Sequence, residues 1–148
     1  MVIMDKITAS PDETRQIGED FVKLLDIGKV VSFFGDLGSG KTCMIQGICA
    51  GLGVKGYVNS PPFIIINEYQ GAIGSVVIPV YHFDLYRVGG INELIELGAE
   101  DYFFGDGICL VEWSERASEI LPDRRLEVEM FYVDDEHRRI LVTDTASY

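Results

Sequence analysis

The stretch Val30-Val31-Ser32-Phe33-Phe34-Gly35-Asp36-Leu37-Gly38-Ser39-Gly40-Lys41-Thr42 decides the fold of this chain. Its first five residues form a short, mostly apolar run, as expected of a strand buried in a parallel sheet. Residues 35–42 then match G-x-x-x-x-G-K-[ST] at every fixed position. At average composition that match arises by chance on the order of once in two hundred chains of this size. Downstream, Ile45, Ile48, Cys49 and Leu52 share one helical face, with Gly51 and Gly53 near its end. A motif that follows a buried strand and opens a helix stands in the context that its chemistry requires. Glycines let successive backbone N–H groups turn inward onto phosphate oxygens. The helix N-terminus adds partial positive charge. Lys41 is a mobile ammonium for the β- and γ-phosphates, and the Thr42 hydroxyl is a candidate ligand for Mg²⁺.

Upstream, Ser10-Pro11-Asp12-Glu13 reads as a helix start, with Ser10 as cap, Pro11 in the first turn and Glu13 completing a capping box. Ile17, Phe21, Leu24 and Leu25 make its apolar stripe, and Gly28 is expected to end it. Downstream, Phe63-Ile64-Ile65-Ile66 and Val76 to Phe83 are strand-like, with Gln70 to Gly74 as a turn between them. Pro79 suggests an edge or a bulge. Asn92 to Leu97 is a short helix candidate, and Gly107 to Val111 a further buried strand. Leu126, Val128 and Met130 alternate with Glu127, Glu129 and Phe131, and Asp134 to His137 turns the chain into Ile140-Leu141-Val142. The whole pattern predicts one domain over residues 1–148. It is an α/β, P-loop NTPase-like three-layer sandwich with a mostly parallel central sheet and a terminal β-hairpin.

A magnesium site beside such a loop needs a carboxylate at the end of a neighbouring strand. Asp84 follows Val80-Tyr81-His82-Phe83, and Glu112 follows Ile108-Cys109-Leu110-Val111. Both follow apolar runs, where a carboxylate is expensive unless it stands at a functional rim. The residues alone leave open which of the two touches the metal.

Composition narrows the function. The 148 residues carry 24 Asp+Glu against 12 Lys+Arg, a net charge of -12. Long-range repulsion from phosphate opposes free-standing nucleic-acid binding, and Arg124-Arg125 and Arg138-Arg139 form only a weak basic patch. A hydrophobic fraction of 47% suits a packed core. The apolar runs are too short to span a bilayer, and the start lacks the pattern of a secretory signal. A cytoplasmic location with no membrane contact is the expectation. Cys43, Cys49 and Cys109 lack a C-x-x-C pair, and the two histidines, His82 and His137, are far apart in sequence. Neither a disulfide framework nor a zinc site is indicated.

Four blocks carry a resemblance to the bacterial TsaE (YjeE) family of small P-loop ATPases, which act in forming threonylcarbamoyladenosine at position 37 of tRNA. They are the loop at residues 35–42, Asn59-Ser60-Pro61, Tyr81-His82-Phe83-Asp84-Leu85-Tyr86-Arg87, and Val111-Glu112-Trp113, followed by Leu121-Pro122. The resemblance implies ATP and Mg²⁺ as cofactors. It implies triphosphate contacts from Gly38, Ser39, Gly40, Lys41, Thr42 and Cys43, with Lys41, Asp84 and Glu112 as catalytic residues. Thr42 and Glu112 would bind the metal, directly or through water. Ser60-Pro61 would lie in a loop that senses the γ-phosphate, and Trp113 would pack beside the nucleotide pocket or simply in the core. Thr14 matches a position near the base, and Arg138 a late basic position that approaches the nucleotide. The implied partners are TsaB and TsaD, with tRNA met indirectly through their complex, and hydrolysis is expected to be slow in isolation. Two departures stand out. Pro62 replaces a threonine after Ser60-Pro61, which removes a hydroxyl and stiffens the loop. Cys43 replaces a second threonine, and a thiol is a weak donor.

Two other functions fit the same loop. A small-molecule kinase would need an arginine-bearing lid to clamp the transferred phosphate, and no arginine-rich insert is present. A nucleotide-dependent scaffold with little turnover would bind ATP without hydrolysing it, and Pro62 and Cys43 suit that case. A GTPase is disfavoured because no N-K-x-D base-reading motif occurs.

Overall fold

The structure is a computed structural model that describes residues 1–35, 39–56 and 65–145. The expectations placed on Asp36, Leu37 and Gly38, on Asn59-Ser60-Pro61 and Pro62, and on Phe63-Ile64 lie outside those residues. Strand β1 (Val2–Thr8) leads into helix α1 (Pro11–Phe21), then β2 (Val30–Gly35) and helix α2 (Lys41–Gly51). The hairpin β3 (Ile66–Ile73) and β4 (Val76–Asp84) follows, then the short helices α3 (Ile91–Glu96) and α4 (Ala99–Phe103). Strand β5 (Ile108–Glu112) and the terminal hairpin β6 (Leu126–Tyr132) and β7 (Arg138–Asp144) complete the order.

The strands form one sheet in the order β1-β7-β6-β2-β5-β4-β3. Pairing is parallel where β2 meets β5 and β6 and where β4 meets β5. It is antiparallel for β1 with β7, β6 with β7, and β3 with β4. The sheet is therefore mixed, which corrects the expectation of a mostly parallel one. Parallel neighbours need long crossovers, and those occupy the centre. The outer strands join antiparallel, β3 and β7 through hairpin turns. Within β2, Val31 and Phe33 join the core under α1 and α2, while Val30 joins the core under α3 and α4. In β5, Ile108 and Leu110 divide from Cys109 and Val111 in the same way. This alternation buries both faces and makes three layers. Burial pushes the Cys49 and Cys109 thiols up to about 12, so both are inert core groups.

Local chemistry sets the element ends. Ser10 Oγ accepts the Glu13 N–H at 3.1 Å, and the Glu13 carboxylate accepts the Ala9 N–H at 2.6 Å, so the capping pattern forms around Pro11. The α-helix ends at Phe21 and tightens into a 3-10 turn over Val22–Leu24, short of Gly28. Gln70 to Ile73 is strand, and the turn is confined to the Gly74 region. A side chain on Gly71 would meet Leu52 Cβ and O at 3.2 Å, and Ala72 N–H donates to that same Leu52 oxygen at 2.7 Å. Pro79 sits in an interior strand rather than at an edge, just before the β5 ladder begins at Val80. Among the described residues no helix is long and apolar enough to cross a membrane.

Helices α1 and α2 meet along a glycine seam. A Cβ on Gly18 would lie 2.3 Å from Met44 O, and one on Gly47 would lie 2.0 Å from Arg15 O. The two backbones touch without intervening side chains, which fixes the start of α2 against α1.

Candidate functional site

Helix α2 opens just beyond the end of β2. Gly35 and Gly40 hold φ of +140° and +98°, a region that L side chains rarely adopt. A Cβ on Gly35 would also strike Met130 O at 2.4 Å and Ser39 Oγ at 2.9 Å. Ser39 is 1% exposed, and its Oγ has no partner among the described residues. An orphaned buried hydroxyl costs about 1–3 kcal/mol, and an anion seated at the helix start would accept its hydrogen.

Lys41 begins α2 and is only 6% exposed. Its ammonium donates to the Gly35 carbonyl and lies 3.9 Å from the centroid of the Trp113 ring. A buried cation needs such partners. Trp113 adopts φ 58° and ψ 42° and is the one non-glycine with positive φ among the described residues. The left-handed turn costs roughly 1–2 kcal/mol. It reverses the chain immediately after β5 and stands the ring beside both Lys41 and Tyr86, the latter at 4.9 Å between centroids. Trp113 is half-buried and does both: it packs against the core under α3 and α4 and touches Lys41 and Tyr86.

The two acids meet by register. Asp84 pairs with Glu112 across β4 and β5, and Phe33 of β2 pairs with Glu112 on its other side. The two acids thus end neighbouring strands, level with Phe33 near the end of β2, the strand that leads to α2. Glu112 is buried, and its Oε2 lies 2.7 Å from His82 Nε2. Burial raises the Asp84 carboxyl above its ordinary value. A bond from the Tyr86 N–H opposes the rise, the Glu112 carboxylate adds to it, and His82 and Lys41 oppose it.

A cavity of about 310 Å³ lies on the other side of Lys41. Gly40, Lys41, Thr42 and Cys43 line it together with Thr14 of α1 and Arg138 of β7. These sequence-derived candidates therefore converge, while Asp84 and Glu112 do not line this cavity. Lys41 joins the two halves. Thr14 is buried, and its hydroxyl shares a 2.7 Å hydrogen bond with Thr8 Oγ1 in which either can donate. The Arg138 guanidinium donates to the carbonyls of Asp134 at 2.5 Å and His137 at 2.9 Å and lies 4.6 Å from the Tyr132 ring. Sequence reasoning missed Asp135 and Glu136, which also line the cavity, and the His82–Glu112 contact. The clue for the acids was their place in the turn just before Arg138. For His82 it was the alternation that puts it on the same face of β4 as Asp84. Arg139 pairs with Asp5 at 2.8 Å and Arg125 with Glu127 at 2.6 Å, so neither adds to a basic patch.

The donor set suits a phosphate with a hard cation. A bound anion would meet backbone N–H groups, the orphaned Ser39 hydroxyl and the buried Lys41 ammonium, and Thr42 with Asp84 or Glu112 would offer a cation oxygen ligands. Among the described residues no three His, Cys, Asp or Glu side chains cluster as a metal cage. A Mg²⁺ would therefore rely on phosphate oxygens and water plus one or two protein oxygens, its usual habit.

Fold and site together define a small P-loop-like α/β protein. The chain belongs to the TsaE family: the family model described as threonylcarbamoyl adenosine biosynthesis protein TsaE matches residues 8–140. A Bacillus subtilis (strain 168) protein named tRNA threonylcarbamoyladenosine biosynthesis protein TsaE is 40% identical over 136 residues, covering 92% of this chain and 82% of the relative. A Treponema pallidum (strain Nichols) protein of the same name is 32% identical over 136 residues, covering 92% and 97%. The crystal structure of Bacillus subtilis YdiB matches with a TM-score of 0.76 at 34% identity, covering 98% of this chain and 88% of that one.

Proposed function

We propose that this chain binds ATP with Mg²⁺ and hydrolyses it in support of threonylcarbamoyladenosine formation on tRNA, acting on a TsaB–TsaD complex in the cytoplasm. The observation that carries the reading is the buried Lys41 ammonium, set between the cavity at the start of α2 and the paired acids Asp84 and Glu112. In this account the triphosphate takes the place of the Gly35 carbonyl and the Trp113 ring as partner of Lys41. Backbone N–H groups at the helix start and the Ser39 hydroxyl bind phosphate oxygens. Thr42 and Glu112 would hold the ion, directly or through water, and the ion would supply positive charge to offset that of the phosphates. Asp84 accepts a hydrogen bond from the attacking water and orients it. The water oxygen bonds to the γ-phosphorus, the bridging oxygen–phosphorus bond breaks, and ADP and inorganic phosphate leave, with the released proton passing to solvent. Thr14 and Arg138 shape the base end of the cavity. The net charge of -12 supports a role in which partner proteins, not this chain, meet the tRNA.

The position of Cys43 in the cavity lining favours one further reading, a nucleotide-dependent scaffold with little turnover. A reconstituted modification assay separates the two. With Lys41→Ala, Asp84→Ala or Glu112→Ala, the hydrolytic reading expects single-turnover modification to survive and multiple turnover to fail. Unchanged multiple turnover in all three refutes it.

A further inference from the structure

We propose that His82 is a positioning residue: its Nε2–H holds the Glu112 carboxylate in the one orientation in which it meets the metal–nucleotide. The inference rests on the ATP–Mg²⁺ reading above. His82 lies two residues before Asp84 on β4 and so shares its face. The parallel register sets His82 beside Leu110 and Asp84 beside Glu112. The imidazole thus reaches along the ladder to the acid at the end of the next strand. The His82 and Glu112 side chains are 1% and 5% exposed, and their atoms are 2.7 Å apart. An ionised carboxylate only accepts, so the bond to a metal-binding Glu112 needs a proton on Nε2, and the other ring nitrogen is Nδ1. That Nδ1 is buried and has no partner among the described residues.

This arrangement is poor core packing. An aliphatic side chain at position 82 would bury no unpartnered ring nitrogen, but it would take from Glu112 Oε2 the partner it has at 2.7 Å. What imidazole supplies and leucine does not is a rigid donor aimed at one oxygen of Glu112. Carboxylates that bind metals are held in this way by hydrogen-bonded neighbours, whose loss typically weakens metal affinity about 10–100-fold.

The test uses the full chain, Mg²⁺ and a non-hydrolysable ATP analogue. Calorimetry gives the analogue's affinity without metal and the Mg²⁺ concentration at half-effect, for wild type, His82→Leu, His82→Asn and His82→Gln. Glutamine carries its amide nitrogen about as far out as Nε2, whereas asparagine stops near the Nδ1 position. The half-effect concentration is expected to rise on the order of 10–100-fold in the leucine and asparagine variants and to return close to wild type in the glutamine variant. Metal-free affinity is expected to stay unchanged in all three. Nitrogen-15 NMR of the ligand-free wild type is expected to find the His82 proton on Nε2. An unchanged half-effect in asparagine and leucine, a glutamine variant as impaired as asparagine, or a proton on Nδ1 alone overturns the proposal. Should the leucine variant fail to fold, the asparagine–glutamine pair decides. A wild type that binds no analogue, with or without metal, overturns the ATP reading and this inference with it. A wild type that binds it, beside variants that match it, overturns this inference alone.

Discussion

Gly47→Ala tests how the start of α2 is held. The added Cβ would sit 2.0 Å from Arg15 O and 2.8 Å from Arg15 C, both backbone atoms of α1 that no rotamer change can move aside. Restoring an ordinary contact near 3.4 Å requires the helices to part by roughly 1.4 Å at this point. Overpacking of this kind costs about 1–3 kcal/mol. Alanine's better helix propensity returns only about 0.5–1 kcal/mol. The net expectation is about 1–2 kcal/mol of lost stability, which lowers Tm by roughly 2–8 °C in a domain of this size. The same separation moves Thr14 of α1 away from Gly40 across the cavity, so affinity for an ATP analogue is expected to fall as well. Gly90→Ala is the control, because its φ of 163° is ordinary extended backbone and a Cβ there meets nothing within 4 Å. It should stay within about 0.5 kcal/mol of wild type. Thermal and urea unfolding of the three proteins measure the effect. A Gly47→Ala protein as stable as wild type, or more so, refutes the seam as the element that fixes α2.

Asp84→Asn is expected to stabilise the ligand-free protein while slowing hydrolysis by roughly 10²-fold or more. Because folding raises the Asp84 pKa above the ordinary 3.8, the native state binds more protons than the unfolded one in the window above that value, and stability falls as pH rises through it. The urea-midpoint advantage of the variant should therefore be full at pH 7 and vanish as pH drops towards 3.8. Thr14→Val leaves the buried Thr8 hydroxyl without its 2.7 Å partner and should cost about 1–3 kcal/mol in urea unfolding. The double variant Thr8→Val/Thr14→Val should recover much of that loss. Trp113→Gly relieves the left-handed backbone but removes the ring beneath Lys41. Thermal unfolding with and without ATP analogue should find its binding more affected than its Tm.

The local parts of this fold were legible because their causes are local. The end of β2 at Gly35 and the helix start at Lys41, the stripe Ile45, Ile48, Cys49 and Leu52, the Ser10 cap and the alternation in β6 each follow from spacing along one segment. Strand β1 gave no such signal. Val2, Ile3 and Ile7 are all exposed on an edge strand, so burial imposes no period, and its pairing with β7 joins the two ends of the chain. The mixed sheet was legible in part: the turns before β4 and β7 imply two antiparallel pairs, and only the β1–β7 pair, between strands far apart in sequence, is a purely tertiary choice. Glycines inside α1 and α2 read as weak points by propensity, and only the contact between the helices explains them. At the site, the motif indicated Lys41 and Thr42 and the apolar runs indicated Asp84 and Glu112. Their adjacency, the bond from His82, the backward turn at Trp113 and the acids of the β6–β7 hairpin depend on register and packing that no single segment encodes.

The most direct measurement is a crystal structure of the chain grown with Mg²⁺ and a non-hydrolysable ATP analogue. Triphosphate density is expected at the start of α2, with the Lys41 ammonium moved from the Gly35 carbonyl onto phosphate oxygens and the ion on the side of Thr42 and Glu112. Density for the analogue at another surface, with Lys41 still bound to Gly35 and lying over Trp113, would contradict the proposed binding of ATP.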